Sequence, residues 1–167
     1  MKKEKGVFKM RVLIVSDSHG INTYLDKALK DAAPFDMLIH LGDLEGSQQY
    51  IEENVTCPIE MVSGNNDFFP DLKQDKCIMI DCYKVLLTHG HRHRVYHGTE
   101  AIKDWARLNE ADIVMFGHTH RPLIEMDDVI AINPGSISMP RQENRRPTYI
   151  VMEIDKKKEL HFDIYYA

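Results

Sequence analysis

The stretch "RVLIVSDSHG", residues 11–20, decides the fold. Its β-branched and aliphatic run is continuous rather than alternating, and it stops abruptly at the polar and small residues of "SDSHG". That is the signature of a strand buried on both faces and emptying into a loop, the kind of strand found in parallel sheets. Downstream, Asn22 is placed to cap a helix whose Leu25, Ala28, Leu29 and Ala32 form one apolar stripe, ending before Pro34. "DMLIHLGD" (36–43) repeats the strand-into-loop pattern, and "IEMVSGNND" (59–67) repeats it a third time. The rhythm is βαβαβ, an α/β layout.

Beyond residue 76 the rhythm changes. "KCIMID" and "KVLLTHG" flank Cys82 and Tyr83 as the arms of a hairpin, and a helix follows at about 98–110 with Ala101, Ile102, Trp105 and Leu108 expected on its inner side. "DIVMFGHTH" (112–120) is another buried strand with a polar end. Short strands at 123–126, 129–132, 148–154 and 159–165 complete a β-rich second half. A sandwich of two mixed sheets with helices outside accommodates this order better than one doubly wound sheet.

The chain has 167 residues, enough for one domain with a sizeable core. We expect a loose leader over 1–9 and a single domain over 10–167. Three cysteines without zinc-type spacing, and no apolar stretch of membrane or signal-peptide character, predict a reduced, cytoplasmic protein with no membrane partner. A net charge of −5 argues against a general nucleic-acid surface, and the cluster "PRQENRR" (140–146) reads as a solvated loop. A homo-oligomer is compatible with the sequence.

In open α/β sheets, ligands gather beyond the carboxyl ends of the strands. Here those ends carry Asp17, His19, Asp43, Asn65, His89, His118 and His120. Two pairs, Asp17 with His19 and His118 with His120, are one residue apart; in an extended segment each pair points to one side and can grip one target. Carboxylate, amide and imidazole donors without thiolate suit manganese, iron(II) or zinc, and seven donors suit two ions rather than one. Two-metal hydrolytic sites hold their ions about 3.5–4 Å apart.

The blocks Asp17-Ser-His19, Gly42-Asp43, Gly64-Asn65-Asn66-Asp67, His89-Gly-His91 and Gly117-His118-Thr-His120 resemble, in order and placement, those of the calcineurin-like metallophosphoesterases. The short length and "INPGS" (132–136) resemble the small bacterial and archaeal phosphodiesterases of that superfamily. The resemblance implies a four-layer αββα sandwich and two divalent ions, manganese favoured, with zinc, iron or nickel as alternatives. It implies one ion on Asp17, His19, Asp43 and His120, and another on Asp43, Asn65, His89 and His118, with Asp43 bridging. The implied activity is hydrolysis of a small phosphodiester by attack of metal-bound hydroxide. Rival readings are a protein-interaction scaffold, as the retromer subunit of this fold is, a phosphomonoesterase, or a nuclease.

Among the neighbouring residues, Ser16, Ser18 and Ser63 read as turn and cap residues. Asp67 reads equally as a turn cap or as a partner orienting a nearby histidine or backbone, and His91 as a proton donor, a phosphate contact or a surface histidine. His40, His93, His97 and His161 read as ordinary polar residues, and Arg92, Arg94 and Arg121 as solvated side chains bordering the motif loops. Many members of the superfamily have histidine after the ligand asparagine, where it is thought to protonate the leaving group; here that residue is Asn66. An amide is no proton donor near neutrality, so esters with good leaving groups are expected to be favoured unless His91 supplies the proton.

Overall fold

A computed structural model of the chain describes residues 8–68 and 71–167. The strands and helices are β1 (Met10–Val15), α1 (Thr23–Ala32), β2 (Met37–His40), α2 (Ser47–Asn54), β3 (Ile59–Met61), β4 (Asp75–Ile80), β5 (Tyr83–Thr88), α3 (Glu100–Leu108), β6 (Ile113–Met115), β7 (Pro122–Met126), β8 (Ile130–Pro134), β9 (Thr148–Ile154) and β10 (Leu160–Tyr166). Single turns of 3-10 helix lie at His91–His93 and Val95–His97.

The strands form two five-stranded mixed sheets, ordered β10-β9-β1-β2-β3 and β4-β5-β6-β8-β7. In the first, β1, β2 and β3 run parallel while β9 and β10 are antiparallel additions. In the second, β5, β6 and β8 run parallel, with β4 and β7 as antiparallel edges.

The continuous apolar run at 12–15 follows from the layers. Side chains alternate along a strand: Val12 and Ile14 pack between the sheets with Ile39, Leu87, Ile113, Met115 and Ile132. Leu13 and Val15 pack outward under α1 and α2, against Leu25, Ala28 and Ile51. On the other outer face, Leu86, Val114 and Phe116 pack beneath Ile102 and Ala106 of α3. Helix, sheet, sheet, helix is the four-layer sandwich expected from the sequence.

Several local expectations are corrected. Asn22 precedes α1 but its side chain makes no cap bond; with its backbone already near helical dihedrals, its Oδ1 instead accepts the Ser47 hydroxyl at 2.7 Å, tying α1 to α2. On α3, Ala101 is exposed and Leu108 is 85% exposed, because the buried stripe is Ile102, Lys103 and Ala106, with Trp105 half-buried. The hairpin turns at Asp81-Cys82, so Tyr83 already belongs to β5. Residues 1–7 of the expected leader lie outside the described residues; Lys9 joins the fold, its N–H bonded to the Ile154 carbonyl and its ammonium to Asp81.

Candidate metal centre

The parallel strands β1, β2 and β3 of one sheet, and β5 and β6 of the other, end at one edge of the sandwich, and the loops after them bring the candidate ligands together. Asp17, His19, Asp43 and His120 each present a ligand atom within 4.8 Å of the others. His120 Nε2 lies 3.1 Å from Asp17 Oδ1 and 3.2 Å from His19 Nε2; His19 Nε2 lies 3.8 Å from Asp43 Oδ2. His89 approaches from the second sheet, its Nε2 3.4 Å from Asp43 Oδ2 and 3.8 Å from Asp17 Oδ1. The His118 ring stands 5.1 Å from that of His89. Asp43 thus lies between a His19–His120 side and a His89–His118 side.

The sharp turns after the strands put Asp17, His19, Asp43, His118 and His120 at φ between 48° and 69°. This corrects the expectation that each pair sits on extended backbone. Left-handed residues cost roughly 1–3 kcal/mol each where the side chain does not suit the region, and they persist where surrounding structure over-determines them. Here it does. The Ser136 and Ser138 hydroxyls both donate to the Asp17 carbonyl, at 2.7 and 2.9 Å. Asn133 donates to the Gly117 carbonyl at 2.9 Å and to Thr119 at 3.0 Å, fastening the loop that carries His118 and His120. Glycine is required for close approach at two points: a Cβ on Gly64 would fall 2.1 Å from Asp43 Oδ1, and one on Gly117 2.0 Å from the Ser16 hydroxyl.

Three imidazoles are held by their outer nitrogen. His89 Nδ1 donates to the Leu41 carbonyl at 2.7 Å, His120 Nδ1 to the Met139 carbonyl at 2.6 Å, and His19 Nδ1 to the Glu45 carboxylate. A carbonyl or carboxylate only accepts, so each Nδ1 carries the hydrogen and each Nε2 lone pair is aimed inward, as metal-binding histidines are commonly arranged. Asp17 Oδ2 accepts from the Ser16 hydroxyl at 2.6 Å and from the His118 N–H at 3.1 Å. Asp17 Oδ1 and His89 Nε2 are buried without a hydrogen-bond partner among the described residues. Such atoms are costly to bury unless something of opposite charge meets them, and carboxylate with imidazole suits a divalent cation. The donors present therefore fit the implied ions.

The electrostatics agree. Burial pushes the Asp17 carboxyl up, but the facing His120 and His89 rings and the Ser16 hydroxyl outweigh it and hold it below the usual carboxylate range. Burial likewise acts against Asp43, and contacts from His89 and Asn66 lower it further still. Burial pushes the His89 ring down, yet the facing Asp43 and Asp17 carboxylates raise it overall. A pocket that draws a proton onto buried imidazole is one that recruits positive charge. His118, by contrast, is pushed down to about 4 by burial and the charge of His89, leaving a neutral imidazole.

The two asparagines take different places. Asn65 is exposed, and no hydrogen bond among the described residues goes to its side chain. Asn66 grips Asp43 twice, backbone N–H to Oδ1 at 2.9 Å and side-chain amide to Oδ2 at 2.8 Å. Asp67 accepts from the backbone N–H groups of Glu45 and Gly64, at 2.9 and 2.8 Å, so it pins the 64–67 turn to the loop after Asp43. His91 stands beside the centre, its ring 5.6 Å from His89 and 6.0 Å from His118; burial and the His89 charge lower its pKa.

Several supporting residues escape a sequence reading. Ser16 and Ser18 are fully buried rather than turn caps. His40, also fully buried, accepts the Gly42 N–H on Nδ1 at 3.2 Å, so its Nε2 hydrogen goes to the Ser18 hydroxyl at 2.9 Å. It links the loops of Asp17 and Asp43, and burial pushes its pKa down to about 4. Its only sequence signal is a histidine inside an otherwise apolar strand. Arg92 is engaged with Asp75 and Gln74, whereas Arg94 and Arg121 are exposed beside the motif loops.

Residues 10–157 match the family model of the calcineurin-like phosphoesterase superfamily domain. A probable metallophosphoesterase of Bacillus subtilis, YsnB, is 35% identical over 150 residues, spanning 87% of this chain and 85% of its own. Phosphodiesterase MJ0936 of Methanocaldococcus jannaschii is 33% identical over 144 residues, 75% of this chain and 83% of its own. The crystal structure of a predicted phosphoesterase from Streptococcus pneumoniae superposes with a TM-score of 0.76 at 26% identity, covering 95% of this chain and 98% of that one.

Proposed function

Because the chain belongs to the calcineurin-like phosphoesterase superfamily and is a metal-dependent phosphoesterase, we propose that it hydrolyses small phosphodiesters with two divalent cations, manganese favoured. In this reading Asp17, His19, Asp43 and His120 hold one ion, and Asp43, Asn65, His89 and His118 the other. The observation that carries the reading is the pair of buried atoms, Asp17 Oδ1 and His89 Nε2, that lie 3.8 Å apart beside Asp43 with no hydrogen-bond partner among the described residues. Bound cations lower the pKa of a water toward neutrality and offset the negative charge of a phosphodiester.

The chain's own residues supply order and protons. Asn66 fixes the rotation of the Asp43 carboxylate, so both of its oxygens are presented in set directions. Leu41, Met139 and Glu45 fix the tautomers of His89, His120 and His19. Asp67 acts through the two backbone amides it binds, not on substrate. The Asn66 amide is committed to Asp43 and carries no acidic proton, so His91 is the side chain we assign to contact the leaving oxygen.

The test is cation analysis of the purified chain followed by hydrolysis of bis-nitrophenyl phosphate with manganese, zinc, iron(II) or nickel added. The reading expects two cations per chain and turnover highest with manganese. A chain that binds no cation and turns over no ester with any of them is an interaction scaffold rather than an enzyme.

A further inference from the structure

A cleft of about 410 Å3 opens beside the metal centre, along the outer face of β7. Thr119, which separates His118 from His120, lines it, and so does Tyr96, whose ring stands 4.8 Å from that of His118. The Tyr96 hydroxyl donates to the His118 carbonyl at 3.0 Å and accepts from Arg141, which fixes the ring at the mouth of the cleft.

The cleft's chemistry follows from strand alternation. Ile124 packs between the sheets while Leu123 packs with the α3 cluster, so Arg121, Leu123 and Glu125 share the outer face. All three line the cleft, with Phe116 contributing a further apolar surface. Four strand residues span roughly 13 Å, so the guanidinium stands near the metal-centre loop and the carboxylate well away from it. Most other polar groups there are already committed: Asn133 to Gly117, Thr119 and Gly135, and Thr99 to Glu125. On Glu125 both short contacts, from Thr99 at 2.7 Å and Lys103 at 2.5 Å, fall on Oε2, leaving Oε1 without a partner among the described residues. Arg121 makes no side-chain hydrogen bond or ion pair among the described residues.

We propose that this cleft binds one organic ester group of the phosphodiester, and that the group it fits is a planar heterocycle with N–H donors on its far edge, as in a nucleotide ester. The apolar walls and the Tyr96 ring take the flat faces. Arg121 takes an oxygen at the phosphate end, and Glu125, a pure acceptor when ionised, takes the N–H edge. Lys103 holds the Glu125 carboxyl below its usual range, keeping it in that form. The assignment rests on the phosphoester being bound at the centre described above.

The test compares guanosine 5′-monophosphate with ribose 5-phosphate, which share the phosphate and sugar and differ by the base. Binding is followed by amide chemical shifts of the whole chain, independently of turnover. The nucleotide should bind about tenfold or more tightly, the scale of one stacked base, with shifts at Thr99, Leu123 and Glu125. Leu123→Trp, which fills the cleft, and Tyr96→Ala, an exposed position that leaves the core intact, should each erase most of that ratio. Equal affinity for the two ligands, or a ratio unchanged in both variants, overturns the assignment. Base-dependent binding in a chain that hydrolyses no ester would sustain the cleft and overturn the catalytic reading; hydrolysis without base-dependent binding would overturn the cleft alone.

Discussion

Asn66 gives Asp43 two hydrogen bonds, one of them from its side-chain amide, so loss of that side chain should act on the cations before it acts on the chemistry. Asn66→Ala is expected to weaken cation retention by about 10–100-fold, the usual cost of losing a residue that orients a ligand, measured by titration with manganese. Asn66→His reintroduces an ionisable ring at the same place; it should raise the rate on an alkyl ester more than on a nitrophenyl ester, because only the poor leaving group needs the proton. Equal changes on both esters would count against a missing acid. His40 gives a pH prediction. Its pKa is about 4 in the fold against about 6.5 in the unfolded chain, so the unfolded state binds the extra proton between those values. Stability should therefore fall as pH drops from 6.5 to 4, by on the order of 3 kcal/mol from this group alone. Urea midpoints of His40→Gln should show a shallower loss than wild type over that window; parallel curves would show that His40 does not titrate there.

At the scale of elements, strands running into loops were legible because β1, β2 and β6 are buried on both faces, which leaves an apolar run with no alternation to confuse with a surface strand. The metal-type residues were legible because they fall at the ends of those runs. The left-handed turns that aim them were not, since Asp, His and Gly occur in many loops and only the surrounding bonds from Ser136, Ser138 and Asn133 fix the dihedrals. Lys103 was illegible for a similar reason: a charged residue on a short helix reads as solvated, yet it is 2% exposed and reaches Glu125 and Asp127 from β7 and the turn after it. The hydrogen bonds that its ammonium donates to Asp127 and Glu125 raise its pKa. Lys103→Ala removes both the packed stem and the ion pair, so a loss of about 2–3 kcal/mol is expected, and Lys103→Met, which keeps the stem, should recover part of it. Thermal unfolding of the two variants checks this; equal losses would show that the stem contributes nothing.

For the whole molecule, the two sheets meet at one edge through carboxylates and imidazoles, and two of the facing atoms, Asp17 Oδ1 and His89 Nε2, are buried with no hydrogen-bond partner among the described residues. Asp17 and Asp43 come from one sheet, and His89, His118 and His120 from the other. A cation that binds the folded chain alone adds stability that grows with the logarithm of its concentration. The melting temperature should rise with added manganese and fall with chelator, and the rise should vanish in Gly64→Ala, whose new Cβ would collide with Asp43. The central claim is that Asp43 serves both flanks of the centre, and Asp43→Asn tests it most directly. Cation content and bis-nitrophenyl phosphate turnover should be measured together on this variant and on wild type. Loss of at least one of two cations per chain, with turnover down by more than about 100-fold, beyond what an orienting residue costs, is the result predicted; two retained cations with turnover unchanged would contradict it.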